Sequence, residues 1–216
     1  MTCLKARNDV ADETDLVGEC AWAGTIGEFL ALNRGVFIDA MREGTYKRMF
    51  NDKTISIGQY RAWRDEFRHL RRELSRLCSR WKQSIGLCIA FEYVIPGHPD
   101  KDTGRVEYIK IPDVVIFSSN QVLVLEFKQR EPPPYDGFAK ETRGYLRLLE
   151  RWHPDIPRMS VKGALVLTKS IEFQMRYPRV LAISPDRIPA VVRKVFAGTD
   201  ISSEPPRDFL RRIRKA

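Results

Sequence analysis

The chain has 216 residues, 43% hydrophobic and 10% aromatic, which is enough to build a core and excludes disorder as the dominant state. Lys and Arg total 37 against 28 Asp and Glu, a net charge of +9 that points toward a polyanion such as nucleic acid. With 30% charged residues and no long uncharged apolar run, a membrane span is excluded, and the opening residues lack a secretion signal, so a cytoplasmic location is expected.

The four cysteines, Cys3, Cys20, Cys78 and Cys88, show no C-x-x-C spacing and form no ligand pattern with His69, His98 or His153. They read as free thiols of a reducing compartment, packed as small apolar groups. Residues 1–23 are mixed and polar and read as an extended or loosely packed lead-in. From Thr25 the pattern turns helical through Ile26, Phe29 and Leu30, then Val36, Phe37, Ala40 and Met41, with a break at Asn33–Gly35. Ser56 or Thr54 caps the next helix, where Tyr60, Trp63, Phe67, Leu70, Leu74, Leu77 and Trp81 make a stripe of period 3.6. The opposite side carries Arg61, Arg64, Arg68, Arg71, Arg72, Arg76 and Arg80, readable either as a solvated face or as a phosphate-tracking surface.

The pattern changes at Ser84–Gly86. Leu87 to Ile95 reads as a strand, and Val106, Tyr108 and Ile109 begin an extended segment that continues through Asp113-Val-Val-Ile-Phe117. After the polar turn Ser118-Ser-Asn-Gln121 comes Val122-Leu-Val-Leu-Glu-Phe-Lys128, and the two β-branched runs predict a hairpin. A helix is expected from about Phe138 to Trp152, strands at Gly163–Leu167 and Arg179–Ile183, and short helices from Pro189 and Pro206, the last one basic. The expected fold class is α/β, a mixed sheet flanked by helices, in which the strand after the helix returns parallel. Residues 1–83 form an N-terminal helical region packed on the core, and residues 84–216 form the core with its basic C-terminal helix.

The hairpin carries the chemistry. A turn centred between Ser119 and Asn120 sets Phe117 opposite Val122, Val115 opposite Val124 and Asp113 opposite Glu126, on one face and with Cβ atoms about 4.5–5.5 Å apart. Period two then places Lys128 on that face and Phe127 in the core. Two close carboxylates repel unless a cation sits between them, and hard oxygen ligands with room for water suit Mg²⁺ or Mn²⁺. Lys128 can orient an attacking water or hold a phosphate. Glu92, in Phe91-Glu-Tyr93, is a candidate additional ligand, with a solvated strand carboxylate as its alternative. A plain cross-strand salt-bridge cluster is the alternative for the trio.

Pro112-Asp113 followed by Glu126-Phe127-Lys128 resembles the PD-(D/E)XK nuclease superfamily. With Gln59-Tyr-Arg-Ala-Trp63, Phe91-Glu-Tyr-Val-Ile-Pro96 and Val124-Leu-Glu-Phe-Lys-Gln129, the chain is similar to the nuclease-like domain that precedes the helicase in a group of bacterial proteins. The resemblance covers about residues 25–170 and implies a restriction-endonuclease-like core and metal-dependent phosphodiester cleavage. It makes Asp113, Glu126 and Glu92 metal ligands and Lys128 the water or phosphate contact. It also implies a prokaryotic defence, repair or mobile-element role. The family's Gln-x-x-x-Tyr motif becomes Glu141-x-x-x-Tyr145, with Tyr145 either supporting the site or filling the core, and Gln129 is a further supporting candidate near the metal, although strand alternation aims it away.

Gly163 to Ser170 lacks the second glycine of a phosphate loop, so any helicase is expected as a separate chain. The resulting expectation is a Mg²⁺- or Mn²⁺-dependent nuclease acting on nucleic acid, DNA first, with no membrane partner. Cutting both strands at once would call for a homodimer. Arg64, Arg68, Arg71, Arg72, Lys128, Arg211 and Arg212 are the expected phosphate contacts. The alternatives are a catalytically silent nucleic-acid-binding subunit on the same fold and a subunit that docks its Arg-faced helix on an acidic protein.

Overall fold

The computed structural model describes residues 20–48, 55–95, 111–129, 135–152, 160–199 and 201. Val106, Tyr108, Ile109 and the basic segment with Arg211 and Arg212 lie outside these residues.

Seven strands form one mixed sheet in the order β1-β2-β3-β4-β5-β7-β6, where β1 is Trp22–Thr25, β2 Cys88–Phe91, β3 Val114–Phe117, β4 Gln121–Lys128, β5 Ser160–Leu167, β6 Gln174–Tyr177 and β7 Val180–Ile183. Each of the first four strands pairs antiparallel with the next, β4, β5 and β7 run parallel, and β6 returns antiparallel along β7. The fold is therefore α/β, as the alternation of patterns predicts. Two short strands escape the sequence reading. β1 lies in the stretch read as an extended lead-in, and β6 precedes a turn whose Arg179 sits at φ 65°.

The β3–β4 hairpin has the predicted register, with Val114 opposite Leu125 and Phe117 opposite Val122. Its turn is closed by Ser118, whose N–H donates to the Gln121 carbonyl at 3.0 Å and whose Oγ accepts from the Gln121 N–H at 3.1 Å. Strand alternation sorts the apolar residues onto two faces. Val114, Ile116, Leu123, Leu125 and Phe127 join one core with Phe29, Phe37, Trp63, Leu70, Leu74, Val192 and Phe196. Val115, Phe117, Val122 and Val124 join the other with Ala139, Tyr145, Leu146 and Leu149. Helices α1 (Ile26–Ala31), α2 (Arg34–Arg48), α3 (Ile57–Arg80) and α5 (Ile188–Phe196) thus stand on one side, and α4 (Asp136–Trp152) on the other. The segment before residue 84 contributes both β1 and helices that share the sheet's core.

Caps define the helix starts. Thr25 and Glu28 form a reciprocal capping box at α1, and the Ser56 hydroxyl accepts from the Gln59 N–H at 3.1 Å, so Ser56 is the cap of α3. α2 passes hard against the backbone before β1. A methyl group on Gly44 would lie 2.2 Å from the Ala21 carbonyl oxygen. Helix propensity favours alanine there by about 1 kcal/mol, but overpacking a backbone contact costs about 1–3 kcal/mol. Gly44→Ala is therefore expected to lower stability to chemical denaturation, whereas Gly137→Ala, with open space around its Cβ, is expected to be neutral or stabilising.

Candidate functional site

The site forms at one end of the sheet, where β2 and β4 finish and β3 begins. One residue beyond the last paired position of β3, Asp113 locks onto β4. Its Oδ2 accepts from the Phe127 N–H at 2.7 Å, and its own N–H donates to Glu126 Oε2 at 3.4 Å. The hairpin register therefore brings Asp113 and Glu126 together, with Phe127 pointing into the opposite core. Glu126 is only 2% exposed, and its Oε1 accepts from Lys128 Nζ at 2.8 Å. Lys128 also stands 3.4 Å from Glu141 of α4, and the Tyr145 hydroxyl donates to Glu141 at 3.0 Å. Glu141 and Tyr145 thus reach the site, and Tyr145 is also a core aromatic. Gln129 turns outward as alternation requires and donates to Asp65 at 2.6 Å.

Glu92 departs from the expected strand. β2 stops at Phe91, and Glu92 adopts φ 51°, a left-handed conformation that costs a non-glycine residue about 1–2 kcal/mol. The turn is held by its N–H, which donates to the Asp113 carbonyl at 2.9 Å. It delivers the carboxylate to α3, where Gln59 Nε2 and Trp63 Nε1 each donate to Oε1 at 2.9 Å.

A fourth acid, which the sequence reading missed, is Glu66 of α3. It is 3% exposed, and its Oε2 has no hydrogen-bond partner among the described residues. The signal was its position: three residues after Trp63 and four before Leu70, a charge on the apolar stripe. Burial, followed by the charges of Glu92 and Glu126, pushes Glu66 up to about 8. Burial likewise raises Asp113, reinforced by Glu126 and Glu66 and opposed by the Phe127 N–H. Burial also raises Glu126, against the pull of Lys128. Burial works to lower Lys128, but Glu126, Asp113 and Glu141 outweigh it and hold the ammonium above its ordinary value.

Acids crowded in this way are short of positive charge. Among the described residues no three His, Cys, Asp or Glu side chains converge as a ready-made metal cluster. As they stand, one Glu92 oxygen is taken by Gln59 and Trp63, and one Glu126 oxygen by Lys128. The donor chemistry nonetheless fits a hard divalent cation, since the group is all carboxylate and Glu66 keeps an orphaned buried oxygen.

The expected phosphate contacts on α3 are exposed, but several are engaged. Arg68 pairs with Asp65 at 3.0 Å, Arg71 bonds the Leu32 carbonyl and covers the Phe67 ring, and Arg72 pairs with the buried Glu73. Arg64 is exposed and makes no ion pair with a described residue.

The chain matches no protein-family model and no curated protein. No helix among the described residues is long and apolar enough to cross a membrane.

The raised acids set a pH dependence. Glu66 ionises near 4.5 when unfolded but only near 8 when folded, so between these values the folded state holds the extra proton. Stability of the metal-free protein is then expected to fall as pH rises from about 5 to about 8, with Glu66 alone contributing about 1.4 kcal/mol per pH unit. Urea titrations across that range test this, and Glu66→Gln should flatten the slope.

Proposed function

We propose that this chain is a metal-dependent nuclease that hydrolyses phosphodiester bonds of nucleic acid, with DNA as the first substrate to test. The observation that carries the reading is the in-register pair Asp113 and Glu126, closed by the 2.7 Å bond from the Phe127 N–H and backed by the buried, unpartnered oxygen of Glu66. A salt-bridge cluster built for stability would satisfy its carboxylates. Here desolvation raises three of them, and repulsion from neighbouring acids adds to it at Glu66 and Asp113, which is the pattern of a functional site.

Asp113, Glu126, Glu66 and Glu92 are the residues that would hold Mg²⁺ or Mn²⁺. Bound there, such an ion would supply Lewis acidity and an acidified water. The chain's own contribution is positional. Lys128 is fixed between Glu126 and Glu141, with its charge kept on, so that it can contact a phosphate oxygen or orient the water. Tyr145 restrains Glu141, and Gln59 with Trp63 restrains Glu92. The arrangement supports a restriction-endonuclease-like core, with α3 and α4 closing over the sheet end from opposite sides.

The test is cleavage of single-stranded and plasmid DNA with Mg²⁺ or Mn²⁺, abolished by EDTA. Asp113→Asn and Lys128→Ala should each lower kcat by roughly a hundredfold or more. Because Asp113→Asn relieves buried repulsion, it should also raise the Tm of the metal-free protein, which separates lost chemistry from lost folding. A wild type inert with both ions on DNA and on RNA would sink the reading.

A further inference from the structure

α3 carries its arginines in an order that the site alone does not explain. Arg64, Arg68, Arg72, Arg76 and Arg80 recur every four residues, and all five are exposed. On an α-helix this spacing is one continuous ridge, because each step advances about 6 Å and turns about 40°. Over its length the ridge runs about 24 Å and winds about 160° around α3.

Its two ends lie in two different grooves. The first, about 790 Å³, is lined by Arg34, Arg61, Arg64, Arg68 and Arg71 and reaches Asp65 and Gln129, the chain neighbours of Glu66 and Lys128. The second, about 740 Å³, lies between α3 and α5 and is lined by Arg76, Arg80, Trp81, Arg187, Arg193 and Lys194. In this far groove Arg80, Arg193 and Lys194 make no ion pair with a described residue, and Trp81 is half-buried beside them. The acids present are already committed. Glu73 is fully buried against Arg72 and Arg76, the latter at 3.2 Å, and Asp186 stands 3.6 Å from Arg187.

We propose that the Arg64-to-Arg80 ridge and the α3–α5 groove bind a single strand of nucleic acid as it leaves the candidate site, with Trp81 stacking on a base. This rests on the nuclease reading and adds to it the form of the substrate and its path. A basic groove with an aromatic platform is the combination that recognises unpaired strands without regard to sequence. The volume lies within the range of about 300–1,000 Å³ that pockets for single small ligands span, so it takes a few unpaired nucleotides and not a duplex. A stacked strand rising about 3.4 Å per nucleotide needs at least about seven nucleotides to cover the ridge's axial length, and more to follow its winding.

The experiment measures metal-free binding by fluorescence anisotropy, using single strands longer and shorter than that span and a matched duplex. It compares wild type with the triple variant Arg80→Gln, Arg193→Gln, Lys194→Gln, whose changes are exposed and distant from the acids. For the long strand we expect roughly tenfold weaker binding and a salt slope flatter by about two, since each lost phosphate contact removes about 0.7. Short strands should bind and be cut as by the wild type. Trp81→Leu should weaken long-strand binding several-fold, and Trp81→Phe should restore it.

Unchanged affinity and salt slope in the triple variant would overturn the proposal, and so would a duplex that loses as much as the single strand. Cleavage of short strands reports separately on the nuclease reading. If the wild type cuts nothing, that reading fails while the binding series still judges the groove.

Discussion

The organising constraint is the shortage of positive charge around Glu66, Glu92, Asp113 and Glu126, acids near enough to act on one another electrostatically. Their mutual repulsion, sharpened by burial, has to be borne by the rest of the fold. Backbone donors bear part of it, through the Phe127 N–H on Asp113, and side-chain donors bear another part, through Gln59 and Trp63 on Glu92. Lys128 supplies the one full positive charge in direct contact with Glu126 among the described residues. The apolar layers on both faces of the hairpin keep water from diluting the interaction. They include Val124 and Val115 on one side and Leu125 and Phe127 on the other.

α3 joins this buried chemistry to the protein surface. Its inner face presents Trp63, Glu66, Leu70, Leu74 and Leu77 to the sheet layer, all buried, while its outer face carries the arginine ridge. Glu73 connects the two, because its fully buried carboxylate is paired with Arg72 and Arg76, both ridge residues. The same ion pairs that satisfy the interior thus fix the middle of the ridge.

What could be read in advance follows from periodicity. β3 and residues 122–125 of β4 are apolar runs joined by a short polar turn, so their register, and with it the meeting of Asp113 with Glu126, was legible. The long stripe of α3 and its arginine face were legible for the same reason. β1 and β6 were not, because Trp22–Thr25 and Gln174–Tyr177 carry no apolar run like those of β3 and β7, and each strand is fixed by its neighbour instead. Glu66 was obscured because a charge within an apolar stripe reads as an interruption until the partners across the interface are known. The end of β2 was obscured because nothing in Phe91-Glu-Tyr93 signals a left-handed residue. That conformation is imposed by the Asp113 carbonyl and by α3.

The left-handed backbone at Glu92 has a consequence for how this position can change. Glycine would adopt φ 51° without steric penalty and would take one charge out of the crowd, so selection for thermal robustness alone would favour it. The carboxylate here sits against backbone preference and is held by the Gln59 and Trp63 donors. The position therefore exchanges backbone ease for a charged group anchored on α3.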